Sequence, residues 1–446
     1  MKAFHAYDIR GVYNRDFNKD DVYKIGFYLP QLLNTQKVVV GRDVRTSSPE
    51  VFEYLTKGIT DAGADVYYIG LATTPMVYYA TAKFNFDASV QITASHNPKE
   101  YNGLKISRTN ALPVGYDSGL SELEKMVLNN TPVAVEKKGK IIDFDVKKQY
   151  LEFLNSYKKD TLLLKIGIDC SNGMAALLVK DIFGNSPKYL YEELDGTFPN
   201  HEANPLIPEN IVDLQNLVKN NNLDLGLIFD GDGDRVMFVD EKGQFISPDL
   251  VIGLLVHYFA EEKGQKGKML VDIRTSKAVA EYVAQWGIET EIWRVGRAFA
   301  AHKLREINGI WGGELAGHYY FRDFYYSDSG FLAAILVVNI AAKLKNKGIS
   351  ISQIIEKIKK YESSGEINFK IEQKKQAMDA VLEHFKAQNP DKIMDFDGYR
   401  VEFSQWWLNV RPSNTEPYLR LIVEATSKEL LEQKVSEIKE IIGRFK

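Results

Sequence analysis

The chain has 446 residues, of which 45% are hydrophobic and 26% charged, and its formal net charge is −4 at pH 7. This length suits roughly three or four domains of typical size. The small negative charge supplies no basic field that would draw the chain to nucleic acid or to an anionic membrane, so we expect neither as a partner.

Cysteine content and apolar runs indicate the compartment. Cys170 is the only cysteine of the sequence, which excludes an intrachain disulfide. The first residues carry no apolar stretch typical of a signal peptide. The longest apolar run, residues 331–342, contains Asn339 and is shorter than the roughly 20 residues that span a bilayer. We expect a cytoplasmic protein in which this run forms a buried helix.

Three strand-to-loop units recur along the chain. Each is an apolar strand that ends in a polar loop, at residues 38–43, 165–169 and 269–274. Their aspartates stand 126 and 103 residues apart, at Asp43, Asp169 and Asp272. Strands that alternate with helical patterns indicate α/β layers, and the recurrence predicts three related domains.

A helix follows the first unit. Ser48 is its predicted N-cap, with Pro49 at the first helical position and Glu50 in the first turn. Apolar residues then recur at helical spacing, at Val51, Leu55 and Ile59.

The C-terminal part has a different pattern. Residues 360–375 are rich in lysine and glutamate and are predicted to form a connector. Residues 408–410 form a strand that runs into a turn at 411–417, and Arg420 lies on the following strand. A last helix has one apolar face, formed by Leu431, Val435, Ile438 and Ile442. These elements predict a smaller closing domain.

Two polar segments carry the chemistry. Residues 93–98 (TASHNP) place Ser95 in a tight turn, and residues 230–235 (DGDGDR) place three carboxylates at alternate positions. One small divalent cation can be held by the three, which are Asp230, Asp232 and Asp234. Hard oxygen ligands suit Mg²⁺, and a metal beside a serine hydroxyl indicates phosphoryl transfer.

The acidic segment has an alternative interpretation as a calcium loop. EF-hand positions one, three, five and twelve are occupied by Asp230, Asp232, Asp234 and Glu241. Position six is Arg235 instead of glycine, and the flanking residues 225–229 and 236–239 are predicted strands, where an EF-hand has helices. We therefore favour a Mg²⁺ site.

The turn at residues 411–417 is rich in hydrogen-bond donors. An arginine followed by small hydroxyl and amide side chains suits a dianionic phosphate. A group of aromatic residues lies in the sequence between the acidic segment and this turn. We expect these side chains to pack in the core and between domains: Tyr319, Tyr320, Phe321, Tyr325 and Tyr326.

In this order the segments resemble the α-D-phosphohexomutase superfamily, and most of all its bacterial phosphomannomutase/phosphoglucomutase branch. The resemblance spans nearly the whole chain, from residues 6–11 (AYDIRG) to the turn at 411–417. It implies an α/β fold of four domains around a central cleft, three of them related mixed α/β sandwiches and the last a smaller α+β domain. We place them at residues 1–144, 145–246, 247–361 and 362–446, which carry in turn the phosphoserine, Mg-binding, sugar-recognition and phosphate-binding loops.

The resemblance also implies the site residues. Ser95 would carry a phosphoryl group, and Mg²⁺ would be held by Ser95, Asp230, Asp232 and Asp234. The other catalytic residues would be Arg10, His96, Lys105 and Arg235. Substrate would be bound by Tyr7, Arg274, Arg297, Glu314, His318, Arg411, Ser413, Asn414, Thr415 and Arg420.

The implied activity is phosphotransfer between O1 and O6 of hexose phosphates. The hexose would be mannose, glucose or both. Because these oxygens lie at opposite ends of the sugar, phospho-Ser95 would first donate to the free hydroxyl. The resulting 1,6-bisphosphate would turn over in the cleft and return its other phosphate. Mg²⁺ would be the cofactor, a hexose 1,6-bisphosphate the activator, and hexose phosphates the only partners of a monomer or small homo-oligomer.

Two residues depart from the family pattern. Ala316 stands where many relatives have a serine. Arg297 stands where the bacterial branch often has a histidine, and an arginine cannot act as a general base. Two alternatives stay open, a phosphoglucosamine mutase and a non-catalytic sugar-phosphate-binding regulator on the same scaffold. The first usually has a glutamine or similar residue in the loop at 314–316, and the second is disfavoured because Ser95 and the aspartates are present.

Overall fold

The structure is a computed structural model that describes residues 1–159, 164–413 and 417–445. Four β-sheets follow one another along the chain, and the strands of each sheet come from one of the four predicted domains. Among the described residues, the helices are all too short or too polar to cross a membrane.

The first sheet is mixed and has seven strands. They are β1 (Ile9–Val12), β2 (Lys37–Arg42), β3 (Asp65–Leu71), β4 (Ala88–Ile92), β5 (Tyr101–Arg108), β6 (Leu112–Pro113) and β7 (Ile141–Asp143). Their order is β1-β5-β4-β2-β3-β7, with β6 beside β5. The helices of this segment are α1 (Lys19–Leu33), α2 (Ser48–Asp61), α3 (Thr74–Lys83) and α4 (Leu120–Asn129).

The second sheet has five strands in the order β12-β11-β10-β8-β9. These are β8 (Ile166–Asp169), β9 (Lys188–Leu190), β10 (Leu225–Phe229), β11 (Val236–Asp240) and β12 (Phe245–Ile246). The accompanying helices are α5 (Lys147–Asn155), α6 (Val179–Phe183) and α7 (Val212–Asn220). Strands therefore flank the acidic segment, as predicted, and an EF-hand is excluded.

The third sheet has five strands in the order β14-β13-β15-β16-β17. These are β13 (Gly267–Asp272), β14 (Ile288–Trp293), β15 (Trp311–Gly313), β16 (Tyr319–Phe321) and β17 (Ser327–Asp328). The helices are α8 (Pro248–Leu254), α9 (Lys277–Val283), α10 (Arg297–Glu306), α11 (Gly330–Asn346) and α12 (Ile351–Ile358). The buried helix predicted over 331–342 is confirmed as part of α11, which packs on β10 and β11.

The fourth sheet is antiparallel and has six strands. They are β18 (Glu362–Ser363), β19 (Ile367–Phe369), β20 (Lys392–Met394), β21 (Tyr399–Glu402), β22 (Trp406–Pro412) and β23 (Leu419–Ala425). Two helices, α13 (Lys374–Lys386) and α14 (Lys428–Gly443), complete an α+β unit. The predicted last helix is α14, which buries Leu431, Ile438 and Ile442.

The first three sheets repeat one arrangement. The strands β2, β8 and β13 each lie between two parallel neighbours. On one side of each, the strand beyond the neighbour is antiparallel to it, which gives the pairs β4–β5, β10–β11 and β15–β16. At the end of each central strand an aspartate Oδ1 accepts the backbone N–H two residues later, at distances of 2.7–3.0 Å for Asp43, Asp169 and Asp272. The recurring aspartates therefore mark the same turn in three related units, and the fold class predicted above is confirmed.

Two local predictions were wrong. Ser47, not Ser48, is the N-cap of α2, and Ser48 lies inside the helix with its hydroxyl donating to Asp43 Oδ1 at 2.5 Å. The predicted connector at 360–375 contains β18, β19 and the start of α13. Its charged residues are compatible with strands because both strands lie on exposed edges, where lysine and glutamate are tolerated.

Candidate active site

Four loops meet at one cavity of about 740 Å³. Each loop joins two antiparallel neighbours of its own sheet: β4 to β5, β10 to β11, β15 to β16, and β22 to β23. All the predicted site residues that the structure describes line this cavity except the three aspartates. The sequence therefore identified segments that the repeated topology brings to one place.

Ser95 lies in a strained turn next to the acidic loop. Its φ is +53°, a left-handed conformation that costs a non-glycine residue on the order of 1–3 kcal/mol. Its backbone N–H donates to Thr93 Oγ1 at 2.9 Å, and its hydroxyl donates to Asp230 Oδ2 at 2.9 Å. The side chain is directed at the carboxylates across a domain boundary, with only 3% of the residue exposed.

Asp230, Asp232 and Asp234 form a fully buried carboxylate cluster, each 0% exposed. One oxygen of each lies within 4.8 Å of the others. Close approach of the backbone at Gly231 makes this possible, since a Cβ there would lie 2.3 Å from Ser95 O. Three buried carboxylates in such a space need positive charge to neutralise them.

Part of that charge comes from Lys105 and Arg235. Lys105 Nζ lies 2.7 Å from Asp232 Oδ2 and 2.5 Å from Asp234 Oδ2. Arg235 Nε donates to Asp230 Oδ2 at 3.0 Å. Burial would raise the pKa of Asp234, but Lys105 and the other nearby cations lower it below its usual range. The pKa of Asp230 is raised, since its burial outweighs the attraction of Arg235.

The carboxylate cluster fits a Mg²⁺ ion. Asp232 Oδ1 and Asp234 Oδ1 are buried and accept no hydrogen bond from any described residue. Buried acceptors are rarely left in this state, and a hard divalent cation satisfies such oxygens. The residues that would hold it are the three aspartates, with Ser95 Oγ, or a phosphoryl oxygen on it, as the fourth.

His96 and Arg10 border Ser95 on the cavity side. His96 Nδ1 lies 3.4 Å from Ser95 Oγ. Burial, together with the charges of Arg235, Arg10 and Lys105, lowers the pKa of His96 well below its usual value, so the ring is neutral at pH 7. Arg10 Nη1 donates to Asn97 Oδ1 at 2.8 Å, and Nη2 pairs with Asp8. Both side chains line the cavity together with Ser95.

Glu314 is held rigidly at the wall of the cavity. Its Oε1 accepts the Gly296 N–H at 2.5 Å, and its Oε2 accepts the Tyr320 hydroxyl at 2.6 Å. Burial raises the pKa of Glu314. Tyr320 was predicted only as a packing residue, yet its hydroxyl orients this carboxylate. Tyr7 contacts the residue before Gly296, because its hydroxyl donates to Val295 O at 3.0 Å.

Asp328 links two predicted substrate residues and was missed by the sequence analysis. Its Oδ2 lies 2.7 Å from His318 Nδ1, and its Oδ1 accepts Arg297 Nε at 2.8 Å. Arg297 also stacks on the ring of Tyr78, 3.9 Å from its centroid. Arg297 Nη2 is buried without a hydrogen-bond partner in the described part of the chain. The arginine is therefore fixed at the cavity with a donor available for a ligand.

A group of arginines lines the cavity where the fourth domain, residues 362–446, borders it. Arg411 Nε donates to Asp397 Oδ1 at 3.1 Å. Arg274 is paired with Asp272, and Arg420 Nη1 lies 3.2 Å from Glu366 Oε1.

Ser413 lines the cavity beside these arginines, and its N–H donates to Tyr418 O at 2.9 Å. The other two predicted members of this loop, Asn414 and Thr415, lie outside the described residues. The described members alone place several cations on one wall, which suits a phosphate.

Comparison with known proteins identifies the family. Four domain models of phosphoglucomutase/phosphomannomutase match the chain: α/β/α domain I at residues 1–133, α/β/α domain II at 148–243, α/β/α domain III at 247–361 and the C-terminal domain at 366–441. The chain is 37% identical over 451 residues to "Phosphohexose mutases" of Xanthomonas campestris pv. campestris, with 99% of each covered. It is 35% identical over 454 residues to a phosphomannomutase of Methanocaldococcus jannaschii, covering 100% of this chain and 98% of the relative.

A solved structure agrees with these matches. The crystal structure of a phosphoglucomutase/phosphomannomutase family protein from Burkholderia thailandensis superposes with a TM-score of 0.90 at 29% identity, covering 99% of this chain and 97% of that one. The matched domains, the full-length relatives and the cleft built from four equivalent loops agree that the chain belongs to the phosphoglucomutase/phosphomannomutase family.

Proposed function

We propose that this protein is a Mg²⁺-dependent phosphohexomutase that moves phosphate between O1 and O6 of glucose and mannose phosphates through phospho-Ser95. The observation that carries the proposal is the contact of the Ser95 hydroxyl with Asp230, beside two buried carboxylate oxygens that lack donors among the described residues. A metal held there would supply charge neutralisation for the transferring phosphoryl group.

The protein's own side chains would do the rest of the chemistry. Lys105 and Arg235 hold positive charge beside the position of the phosphoryl oxygens, and Arg10 closes the same side. An attacking sugar hydroxyl must lose its proton. His318 Nδ1 is engaged by Asp328 Oδ2, so that Nε2 is the ring nitrogen left to accept it. Arg297 cannot take this proton and would bind a phosphate or a sugar hydroxyl instead.

The two ends of the substrate would occupy opposite walls. While one phosphate or hydroxyl reacts at Ser95, the other phosphate would lie on the wall of Arg411, Ser413 and Arg420. Asn414 and Thr415, which lie outside the described residues, remain proposed ligands of this phosphate. The bisphosphate then has to turn end for end. A cavity of about 740 Å³ lies within the range of small-molecule sites, roughly 300–1,000 Å³. Hexose 1,6-bisphosphate would act as activator because it phosphorylates Ser95.

A coupled assay with glucose 1-phosphate, mannose 1-phosphate and glucosamine 1-phosphate, each with bisphosphate activator, tests the function. We expect turnover of the first two. Preferred turnover of the glucosamine compound would point to a phosphoglucosamine mutase, and binding without turnover of any sugar would point to a regulator. Neither alternative is favoured by the family match. A cytoplasmic location and a monomer or small homo-oligomer complete the proposal.

Replacing Arg411 with alanine should lower kcat/KM about tenfold to a hundredfold. The side chain lines the cavity, and loss of one charge-assisted phosphate contact removes roughly 1.5–3 kcal/mol. Steady-state kinetics with a hexose 1-phosphate measures the loss. Arg444→Ala is the control, because Arg444 is exposed and its guanidinium pairs with Glu440 on the surface. An equal loss of binding for the unphosphorylated sugar would indicate a folding defect instead of a lost phosphate contact.

Glucose and mannose phosphates should be turned over within about an order of magnitude of each other. A site that takes its substrate in two orientations must use sugar features that look alike both ways, which favours the O3 and O4 hydroxyls over O2. Ala316 lines the cavity without offering a hydroxyl, so one potential hydrogen bond of about 0.5–1.5 kcal/mol is absent. Ala316→Ser should change both efficiencies in the same direction by less than about tenfold. A thousandfold preference of the parent protein for one epimer would contradict dual specificity.

A further inference from the structure

The turn that carries Ser95 depends on a side chain outside the predicted site. Ser95 has a φ of +53°, and a strained residue persists only where its surroundings determine its conformation. Three carbonyl groups of this turn and one at the start of β5 accept from a single guanidinium group, that of Arg45, which is 1% exposed.

The contacts of Arg45 cover both sides of the turn. Nη2 donates to Ser95 O at 2.8 Å and to Asn97 O at 2.7 Å. Nη1 donates to Pro98 O at 2.7 Å and to Tyr101 O at 3.1 Å. The planar guanidinium therefore joins the residue before His96, the end of the turn and the first residue of β5 into one unit.

Arg45 is itself fixed from three directions. Asp43 Oδ2 lies 3.2 Å from Arg45 Nε, and Asp43 Oδ1 accepts the Arg45 backbone N–H at 3.0 Å. The ring of Phe198, from the second domain, covers the guanidinium with its centroid 5.1 Å away. Gly196 lies so close that a Cβ there would be 2.3 Å from Val44 O. The arginine is thus held by the first domain and enclosed by the second.

The position that Arg45 occupies in the first unit carries a cavity-lining arginine in the third unit. Arg45 stands two residues after Asp43, and Arg274 stands two residues after Asp272 in the equivalent turn of the third unit. Arg274 lines the cavity, whereas Arg45 lies beneath the Ser95 turn. The repeated turn therefore contributes an arginine to the cavity wall in the third unit and an arginine that supports the Ser95 turn in the first unit.

We propose that Arg45 is a positioning residue for phosphoryl transfer, holding the Ser95 turn so that the serine hydroxyl stays on the carboxylate cluster. This inference rests on the proposed function and assigns a new residue to it. A lysine keeps the charge but has one nitrogen, which cannot serve four carbonyls in the fork geometry of a guanidinium.

The test is Arg45→Lys, with Arg42→Lys as the matched control. Arg42 ends the preceding strand, where its Nε donates to Tyr68 Oη at 3.0 Å and its Nη1 to Asp43 O at 3.4 Å. Its side chain donates to none of the residues 94–101, all of which the structure describes. For Arg45→Lys we expect kcat to fall about 100-fold while KM for the hexose phosphate changes less than about threefold, because misplacing the nucleophile leaves the phosphate-binding wall intact. Amide hydrogen exchange should accelerate over residues 94–101 alone, and Arg42→Lys should match the parent in both measurements.

Unchanged exchange over residues 94–101 in Arg45→Lys would overturn the proposal. A kcat within about threefold of the parent would overturn it too, because this loss is too small for a displaced nucleophile. The exchange measurement needs no substrate. If the parent protein proved inactive on hexose phosphates, the proposed function would fail. Hydrogen exchange over residues 94–101 would still test whether Arg45 supports the turn. A general loss of protection throughout the chain would also contradict a local positioning role.

Discussion

Replacing Ser95 with alanine should abolish mutase turnover almost completely, by a factor on the order of 10⁴ or more. The alanine removes the atom that carries the phosphoryl group, and no direct route joins O1 to O6 across the sugar. Folding should be preserved, because the lost hydrogen bond to Asp230 at 2.9 Å is a small part of a cluster that Lys105 and Arg235 also hold. Steady-state assay and thermal unfolding of the purified variant measure both effects.

Ser107→Ala is the matched control for Ser95→Ala. Ser107 is also a buried serine of the first domain, on β5, and its hydroxyl has no hydrogen-bond partner within the described ranges. Its removal should leave turnover near the parent level. Substantial residual activity in Ser95→Ala, beyond that of a contaminating enzyme, would show that another group carries the phosphoryl unit.

Replacing Asp232 with asparagine should lower turnover by a factor on the order of 10³, and added Mg²⁺ should not restore it. Asparagine keeps an oxygen for the Thr74 hydroxyl, which donates to Asp232 Oδ2 at 2.5 Å, but it removes one anionic ligand from the cluster. The charge neutralisation that a metal supplies to phosphoryl transfer amounts to several kcal/mol, which corresponds to such a factor. Turnover at increasing Mg²⁺ concentration measures the effect.

Asp213→Asn serves as the control for Asp232→Asn, since Asp213 is an exposed residue of the same domain that accepts the Tyr191 hydroxyl. The parent protein should also lose activity in excess EDTA and regain it with Mg²⁺. Undiminished turnover of the parent in EDTA, or full activity of Asp232→Asn at ordinary Mg²⁺, would exclude the metal role of the cluster.

Much of the architecture was predictable because it is repeated. The aspartates at 43, 169 and 272 identified three related units from sequence, and the structure places each at the same turn. The polar loops between antiparallel strands were recognisable by their composition. Since each unit places its loop at the same edge, the loops of Ser95, Asp230 and Glu314 had to converge once the domains packed around a cleft.

The residues that were missed act through long-range contacts. Asp328 orients His318 and Arg297, and Asp397 pairs with Arg411, but neither lies in a loop of distinctive composition. Arg45 is 50 residues from Ser95 in sequence. Such pairings depend on how sheets and domains pack, which the local pattern does not encode. The wrong N-cap at Ser48 has a local cause, because the Ser48 hydroxyl donates to Asp43 Oδ1, five residues earlier in the chain, and Ser48 lies inside the helix.

The most direct test of phosphoryl transfer through Ser95 follows one phosphoryl group through a single turnover. The protein is phosphorylated with glucose 1,6-bisphosphate, freed of sugar, analysed by peptide mass spectrometry and then mixed with glucose 1-phosphate. We expect phosphate on Ser95 and its transfer to the sugar, giving glucose 1,6-bisphosphate at a rate no slower than kcat. Phosphate on a different residue, or phospho-Ser95 that persists while the sugar turns over, would contradict phosphoryl transfer through Ser95.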